Sequence, residues 1–432
     1  MTNHYLCRMR IFHLLGIIIL VSWLACSCTT TQNMSKYNFA KLYKGSELII
    51  KPKFTIFHET EGNSEVHFQI LSNGLLYNKP ENLKDYTANL KFMYLLYESF
   101  TSTTIIDSSS FVISDVNNEK VNKSITGMFN IKAQYPKRYI LRVIVKDLNR
   151  DIEEEQLIQI DKTSRQNRQN YFTENVKTQQ PMLSYQINNN VAIRITHNDK
   201  MIKRIIVKYY DREFPLSPPP FISYNAKRFD FEPDSFYYVT LDENSSFETN
   251  FMLEGLYHIQ SDSTATEGLT IMRVDKYFPA IKKHEDMLPS LRFISTNKEY
   301  KAISESIDSQ DAVDEFWLDR TSSPDKSRGL IRNYYSRIED SNEFFTSHVP
   351  GWKSDRGLVY VVFGPPDNIY RSVSGESWIY GNNKSQPNLT FNFTKTFNPF
   401  SDNDFRLKRS PEYKSFWYNA VDTWRQGRVY NY

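Results

Sequence analysis

The sequence predicts a multidomain chain, in which two antiparallel β-sandwich domains of the immunoglobulin-like kind precede a C-terminal α+β domain. Short apolar runs rich in β-branched and aromatic residues fill the region 47–165 and recur over 182–276, as in the strands of sandwiches. The region 285–432 changes to helical periodicity followed by strands, which is typical of an α+β unit. A polar stretch at 163–181 predicts a linker between the first two regions.

The strands of the first domain are predicted from apolar runs that end at turn formers. Glu-Gly-Asn at 61–63 and Ser-Asn-Gly at 72–74 are such turn formers, because these residues tolerate the backbone angles of tight turns. The predicted strands are 48–50, 54–57, 66–70, 92–97 and 139–145.

The second domain shows the same pattern. Three consecutive prolines at 218–220 interrupt it, because proline cannot donate a hydrogen bond to a sheet. The predicted strands are 191–196, 205–210, 236–241, 255–259 and 269–274.

The C-terminal domain is predicted to begin with helices and to continue with strands. Apolar residues recur at helical spacing in 297–307, 311–320 and 326–345, and Ser-Pro-Asp at 323–325 is a suitable start for the third helix. Strands are predicted at 358–363, 377–380 and 389–393, and a last helix at 411–425.

The N-terminus predicts a lipoprotein signal peptide at 1–27. A basic start is followed by an apolar run at 14–25 and then by Cys-Ser-Cys; this run is shorter than the roughly 20 residues of a membrane-spanning helix. Cleavage before Cys28 is favoured for acylation, with Cys26 as the alternative, because bulky Trp23 fits poorly at the third position before Cys26. Residues 28–46 are then predicted to be a tether that links the body to the lipid bilayer. The uncharged residues 29–34 favour a body on the periplasmic face.

Composition excludes several classes of function. The 432 residues carry a formal net charge of +3, so no strong field for nucleic acid is predicted. The three cysteines are at 7, 26 and 28, so a chain acylated at Cys28 has no thiol left for redox chemistry or disulfides.

Several sequence pieces in the last third form a recognisable series. The central piece is PGWKSDRG at 350–357, followed after an apolar run by GPPD at 364–367. LRFIST at 291–296, DEFW at 314–317, YYSRIE at 334–339 and ESWIY at 376–380 flank these two. Together they resemble the GWxTD domain over roughly 285–432, with Ser354 where the family usually has threonine. The resemblance implies a Gram-negative envelope protein of a family without an established enzymatic activity.

The residues of the motif are best explained by structural roles. Gly351 and Gly357 are expected where φ is positive or two backbones approach closely. Trp352 is expected to fill the seam between helices and sheet. Ser354 and Asp355 are suited to accepting hydrogen bonds from backbone amides. Arg356 is expected to pair with Asp355 or with a helix carboxylate such as Glu339.

The second piece of the motif, formed by Gly364, Pro365, Pro366 and Asp367, is expected to end the preceding strand sharply. Neither proline can donate a hydrogen bond to a sheet.

No catalytic residue, metal site or cofactor is predicted. His348, Ser354 and Asp355 are near neighbours in sequence, and such neighbours rarely reach triad geometry. Asp314, Glu315, Asp355, Asp367 and Glu376 could supply a carboxylate pair, but no spacing selects one. The histidines lack zinc-site spacing, and no glycine-rich phosphate loop is present.

These features favour a non-catalytic interaction or structural subunit, anchored to the outer membrane. The expected partners are an outer-membrane β-barrel or other envelope proteins, in a machine that assembles or exports outer-membrane or surface proteins. The alternative is a glycan-binding or glycan-cleaving envelope protein with a cleft near the GWKSDRG turn.

Overall fold

The computed structural model describes residues 34–45, 48–81, 84–224, 229–381 and 388–432. The predicted signal peptide and both candidate acylation sites, Cys26 and Cys28, lie outside these residues. Within the described ranges, no helix has the length and apolar character needed to cross a bilayer.

The N-terminal region contains two antiparallel sheets with the orders β1-β2-β5 and β4-β3-β6-β7. The strands are β1 (Lys53–Phe57), β2 (Asn63–Leu71), β3 (Thr87–Tyr97), β4 (Ile105–Val116), β5 (Ser124–Lys132), β6 (Arg138–Asp147) and β7 (Ile152–Asp161). Burial alternates along β2 and β3, because successive side chains point to opposite faces of a sheet. The inward residues of both sheets share one hydrophobic cluster, in which the rings of Phe68 and Phe92 lie 4.5 Å apart.

The middle region contains two further sheets, with the orders β13-β10-β8 and β12-β11-β14-β15-β9. The strands are β8 (Tyr171–Asn175), β9 (Gln186–Ile187), β10 (Ile193–His197), β11 (Arg204–Tyr210), β12 (Ser235–Thr240), β13 (Ser246–Thr249), β14 (Gly255–Gln260) and β15 (Leu269–Arg273). All pairs are antiparallel except β9 with β15. These sheets also share one hydrophobic cluster.

Strand β8 lies inside the stretch predicted to be a linker, 163–181. It pairs with β10 over five residues, and Tyr171 and Thr173 are its buried side chains. The short segment YFTEN lies within a polar stretch and was therefore not predicted as a strand. It forms one at the edge of its sheet, where backbone hydrogen bonds to β10 hold it. The structure therefore differs from the predicted linker at this point.

The C-terminal region combines six helices with a four-stranded antiparallel sheet of order β16-β17-β18-β19 in the described residues. The helices are α1 (His284–Met287), α2 (Asn297–Ser304), α3 (Ser309–Leu318), α4 (Pro324–Phe345), α5 (Asp355–Phe363) and α6 (Tyr413–Arg425). The strands are β16 (Asn368–Arg371), β17 (Gly375–Tyr380), β18 (Leu389–Lys395) and β19 (Phe405–Leu407). Ser323 caps α4 and Pro324 opens it, as the sequence predicted.

Residues 358–363 are helical, so the prediction of a strand there is wrong. Every residue of α5 from Asp355 to Phe363 is buried. A helix that is buried on all sides has no polar stripe, and a short apolar run then does not distinguish a helix from a strand. The local signal for a helix is Ser354, which caps the first turn.

Residues 34–45 pack into the C-terminal region, whereas the sequence predicted a tether over 28–46. The segment forms two 3₁₀ turns, Met34–Lys36 and Ala40–Tyr43. Its residues Met34, Phe39, Leu42 and Tyr43 belong to the same hydrophobic cluster as the helices and the sheet. We call residues 34–45 the N-terminal arm. Its apolar residues alternate irregularly with lysines and asparagine, so composition alone suggested a solvated stretch.

Candidate functional site: the GWKSDRG turn and its ion pairs

The GWKSDRG turn is a 3₁₀ turn (Gly351–Lys353) that leads directly into α5. The Ser354 hydroxyl accepts a hydrogen bond from the Gly357 amide (3.1 Å) and donates one to the Gly351 carbonyl (2.7 Å). This is helix N-capping, which satisfies an amide that has no partner within the helix. The predicted bond from Ser354 to a backbone amide is confirmed.

The two glycines of the turn allow backbones to approach closely. A Cβ atom at Gly351 would lie 1.9 Å from the Ser341 carbonyl oxygen, and one at Gly357 would lie 2.0 Å from the Gly351 carbonyl oxygen. No side chain fits at either position. Close approach, and not positive φ, is the reason for glycine at both.

Trp352 is buried, with 5 % of its surface exposed. Its ring meets Phe293 edge to face at 5.9 Å. Its backbone amide donates to the Asn342 side chain of α4 (3.3 Å). The tryptophan lies in the cluster formed by helices and sheet, so it holds the turn against α4.

Asp355 connects the start of α5 to two other parts of the chain. One of its carboxylate oxygens accepts a hydrogen bond from the Leu407 amide in β19 (2.8 Å). The other pairs with Arg409, and both side chains are buried. Arg409 also donates to the carbonyls of Pro218 and Pro219, each at 2.7 Å. The triple-proline segment of the middle region is thereby joined to the motif.

Arg356 is buried and pairs with Glu376 of β17 at 3.5 Å. The prediction that it pairs with Asp355 or with a helix carboxylate such as Glu339 is therefore wrong, because Glu376 lies in a strand. Its guanidinium also donates to the Asn403 carbonyl (2.9 Å) and packs over the Phe405 ring at 4.0 Å.

Glu376 is the centre of a group of five side chains, four of them buried and Arg371 partly buried, which we call the Glu376 cluster. Its members are Tyr43, Arg356, Arg371, Glu376 and Trp378. The carboxylate accepts from the Tyr43 hydroxyl (2.9 Å) and the Trp378 indole (3.0 Å), and Arg371 lies 3.0 Å away. Burial alone would raise the pKa of Glu376, but the guanidinium groups of Arg371 and Arg356 lower it below its usual value. The carboxylate is therefore charged and fully bonded.

The GPPD turn ends helix α5, where the sequence predicted the end of a strand. Gly364 has φ +85°, a conformation that favours glycine. Pro366 is buried, and the Asp367 carboxylate accepts from the Gly381 amide (2.7 Å).

Arg337 is a structural residue that the sequence did not single out, although it lies in the YYSRIE piece. It donates to the Val361 and Val362 carbonyls at the end of α5 (3.3 and 3.4 Å) and to the Tyr430 carbonyl (2.8 Å). A Cβ atom at Gly364 would lie 2.8 Å from this guanidinium. Burial lowers the pKa of Arg337 to about 10, so it stays charged at neutral pH.

The residues considered for a hydrolytic triad are each bonded elsewhere. The Nδ1 atom of His348 accepts from the Asn398 side-chain amide (2.9 Å), and burial lowers the pKa of His348 to about 4. Ser354 caps α5 and Asp355 holds Arg409. Among the described residues, no group of three or more histidine, cysteine, aspartate or glutamate side chains is placed to hold a metal ion.

Cavities flank the turn. One of about 230 Å³ is lined by His348, Ser354 and Asp355, together with the aromatic residues Phe229 and Phe405. A second, of about 390 Å³, borders Trp352. A third, of about 460 Å³, lies where the N-terminal, middle and C-terminal regions meet.

Comparison with known proteins identifies the C-terminal part of the chain. The model of the GWxTD domain matches residues 255–426, so the match begins at β14, whereas the sequence placed the start of the domain at 285. No curated protein matches the chain. A solved structure of red sea bream transglutaminase shows 8 % identity and a TM-score of 0.20, covering 55 % of this chain and 33 % of that chain. The chain thus spans about a third of the transglutaminase, and so low a score supports no conclusion about fold. Residues 255–426 of the chain thus match the GWxTD domain, and this range contains the helices α1 to α6, while the described part of the chain is made mostly of antiparallel sheets.

Proposed function

We propose that this protein is an outer-membrane lipoprotein that serves as a non-catalytic interaction or structural subunit of an envelope machine. The machine assembles or exports outer-membrane or surface proteins, and the body of the lipoprotein faces the periplasm. The basic start, apolar run and Cys-Ser-Cys sequence of the N-terminus support the lipid anchor.

The observation that carries the non-catalytic part of the proposal is the use of the motif's polar groups. Ser354 caps a helix, Asp355 holds Arg409, and Arg356 holds Glu376. The hydrogen bonds and ion pairs of these side chains are made within the chain, which is the pattern of groups that stabilise a fold, although Ser354 and Asp355 also line the cavity of about 230 Å³. The motif is therefore suited to holding the domain together.

A surface for a protein partner is available on β12. In the described part of the chain, β12 pairs with β11 and forms the outer strand of its sheet. Phe236, Tyr237 and Tyr238 on this strand are 57, 44 and 48 % exposed. Exposed edge strands readily accept a further strand, and aromatic residues often dominate the energy of an interface.

The test is affinity purification of the tagged chain from detergent-solubilised envelopes, with identification of outer-membrane β-barrels in the eluate. A double variant, Phe236→Ser with Tyr238→Ser, is compared with Val112→Ser, an exposed position on the edge strand β4. Losing two aromatic contacts of about 1–2 kcal/mol each weakens the affinity about thirtyfold or more and lowers β-barrel recovery accordingly, while Val112→Ser retains it. Recovery of the unaltered chain as a lone monomer would refute the proposal.

We also propose that the N-terminal and middle regions are each a β-sandwich of the immunoglobulin-like kind. The shared hydrophobic cluster of each pair of sheets supports this, because two sheets that pack face to face bury their inner residues together.

A second candidate function is glycan binding beside the GWKSDRG turn. The cavity of about 230 Å³ supports it, because carboxylates and aromatic rings line the same space. Asp230 and Tyr224 line it without belonging to the motif. Titration of envelope polysaccharide fragments into the chain and into a Tyr224→Ala variant tests this candidate. Equal absence of binding heat in both would dismiss it.

A further inference from the structure

The N-terminal arm holds Met34 at a fixed place on the C-terminal domain. Met34 is 1 % exposed. The Ser35 amide donates to the Phe100 carbonyl (2.9 Å), and the Phe39 amide donates to the Ile369 carbonyl (2.8 Å). The first described residues therefore lie beside β16.

Little chain separates this point from the proposed lipid anchor. Cys28 and Met34 are six residues apart, and a chain extends at most about 3.6 Å per residue, so the reach is about 22 Å. With Cys26 as the acylated residue, the reach is about 29 Å. A compact chain of about 400 residues has a radius of gyration of about 21 Å. Whatever the conformation of the intervening residues, the anchor keeps Met34 within about 22–29 Å of the membrane, which is about one radius of gyration of the body.

The surface around Ser35 is the outer face of the four-stranded sheet. Ser35 borders a surface depression together with Tyr370, Ser374, Ser377 and Asn392. Arg371 and Glu376 also border it, and they are paired with each other. Exposed hydroxyl and amide groups are compatible with hydrated lipid headgroups, and the exposed Lys36 beside them favours anionic lipid.

We infer that the outer face of the sheet β16–β19 rests against the membrane, so that the GWxTD domain is the part of the protein nearest the lipid. This inference rests on the proposed acylation. The helices α2 and α3 then point away from the membrane, because α4 and α5 separate them from the sheet. Trp317 of α3 packs on Tyr334 of α4, and Phe363 of α5 packs on Phe391 of β18.

Single cysteines test the orientation on the full, processed chain in liposomes. Ser374→Cys places a thiol on the proposed membrane face, and Ser306→Cys places one between α2 and α3; both serines are exposed. Each thiol is labelled with a fluorophore, and nitroxide-headgroup lipid serves as the quencher. The parent chain without an added cysteine gives the background, and mass spectrometry of the N-terminal peptide reports acylation.

The inference expects quenching at position 374 to exceed that at position 306 several-fold in an acylated chain. Equal quenching, or stronger quenching at 306, in an acylated chain overturns the orientation and leaves the anchor intact. An N-terminal peptide without acyl chains overturns the anchor and the orientation together.

Discussion

Replacing Phe39 with alanine tests whether residues 34–45 form a packed N-terminal arm or a solvated tether. Phe39 is fully buried, and its ring lies 5.7 Å from that of Tyr37. Removal of a buried phenylalanine ring costs about 3–5 kcal/mol, because apolar burial is lost and a cavity remains. A residue in a solvated tether would contribute almost nothing. We therefore expect Phe39→Ala to lower the free energy of unfolding of the C-terminal domain by about 3–5 kcal/mol.

Tryptophan fluorescence is a suitable assay, because it reports on this domain. Five of the six tryptophans lie in the C-terminal region, at 317, 352, 378, 417 and 424, and the sixth is Trp23 in the predicted signal. Urea denaturation of the purified chain, followed by tryptophan emission, gives the midpoint and slope for each variant.

Lys36→Ala is the matched control, since Lys36 is an exposed residue of the same arm. We expect it to change the free energy of unfolding by less than about 0.5 kcal/mol. If Phe39→Ala also changed that value by less than about 0.5 kcal/mol, the argument that the arm completes the core would be refuted.

Three further predictions concern the motif and the histidines. Asp355→Asn should lower the free energy of unfolding, measured in urea, by about 3–5 kcal/mol, because it leaves the buried Arg409 without its counter-charge. Asp367→Asn, at an exposed turn, should lower it by less than about 1 kcal/mol. Loss of a measurable activity in Asp355→Asn without loss of stability would instead favour a catalytic cleft. Gly357→Ala should prevent folding or lower the thermal midpoint sharply, because its Cβ would lie 2.0 Å from a carbonyl oxygen. Gly329→Ala has open space in α4 and should stabilise the folded chain by about 0.5–1 kcal/mol. Equal thermal midpoints for the two variants would contradict the close approach at Gly357. The free energy of unfolding should decrease as the pH is lowered from 6.5 to about 4, because burial depresses the pKa of several histidines and the unfolded chain therefore binds more protons in this range. Three of these histidines have a pKa of about 4 in the fold, and each contributes at most about 3 kcal/mol. A free energy of unfolding that stays constant from pH 7 to 4 in urea titrations would count against this prediction. The histidines with a depressed pKa are His58, His197, His258 and His348.

The sequence predicted the elements that have a clear amphipathic period. Helix α4 was predicted at 326–345 and occupies Pro324–Phe345, and strand β3 contains the predicted 92–97. In both, buried and exposed positions alternate with the period of the element, so the pattern carries the information. The capping role of Ser354 was also accessible, because a cap acts over three residues.

Elements whose stability comes from distant parts of the chain could not be predicted in this way. Helix α5 has no exposed face, and β8 depends on backbone pairing with β10. The arm is stabilised by residues more than three hundred positions away: Tyr43 bonds Glu376, and Phe39 bonds Ile369. The local pattern of polar and apolar residues gives no information about contacts between such distant positions.

The same reason explains why the partner of Arg356 was predicted wrongly. Asp355 and Arg356 are consecutive residues of a helix, so their side chains point about 100° apart around its axis. Asp355 faces β19 and, through Arg409, the proline segment of the middle region, while Arg356 faces β17 and the arm. Neighbours in a helix therefore bond to different parts of the molecule and not to each other.

The motif also depends on residues outside the GWxTD match. Tyr43 of the Glu376 cluster and the carbonyls of Pro218 and Pro219 lie outside the matched range 255–426. A fragment cut to that range would keep Arg356, Arg409 and their carboxylate partners, but it would expose the pairs to water on the sides that the arm and the proline segment cover. It would also lose the burial of Met34, Phe39, Leu42 and Tyr43, which is worth about 1.5–3 kcal/mol for each side chain. That sum is comparable to the whole stability of an ordinary domain, about 5–15 kcal/mol. In this chain the motif stabilises a domain that is complete only together with the arm that precedes it by two hundred residues.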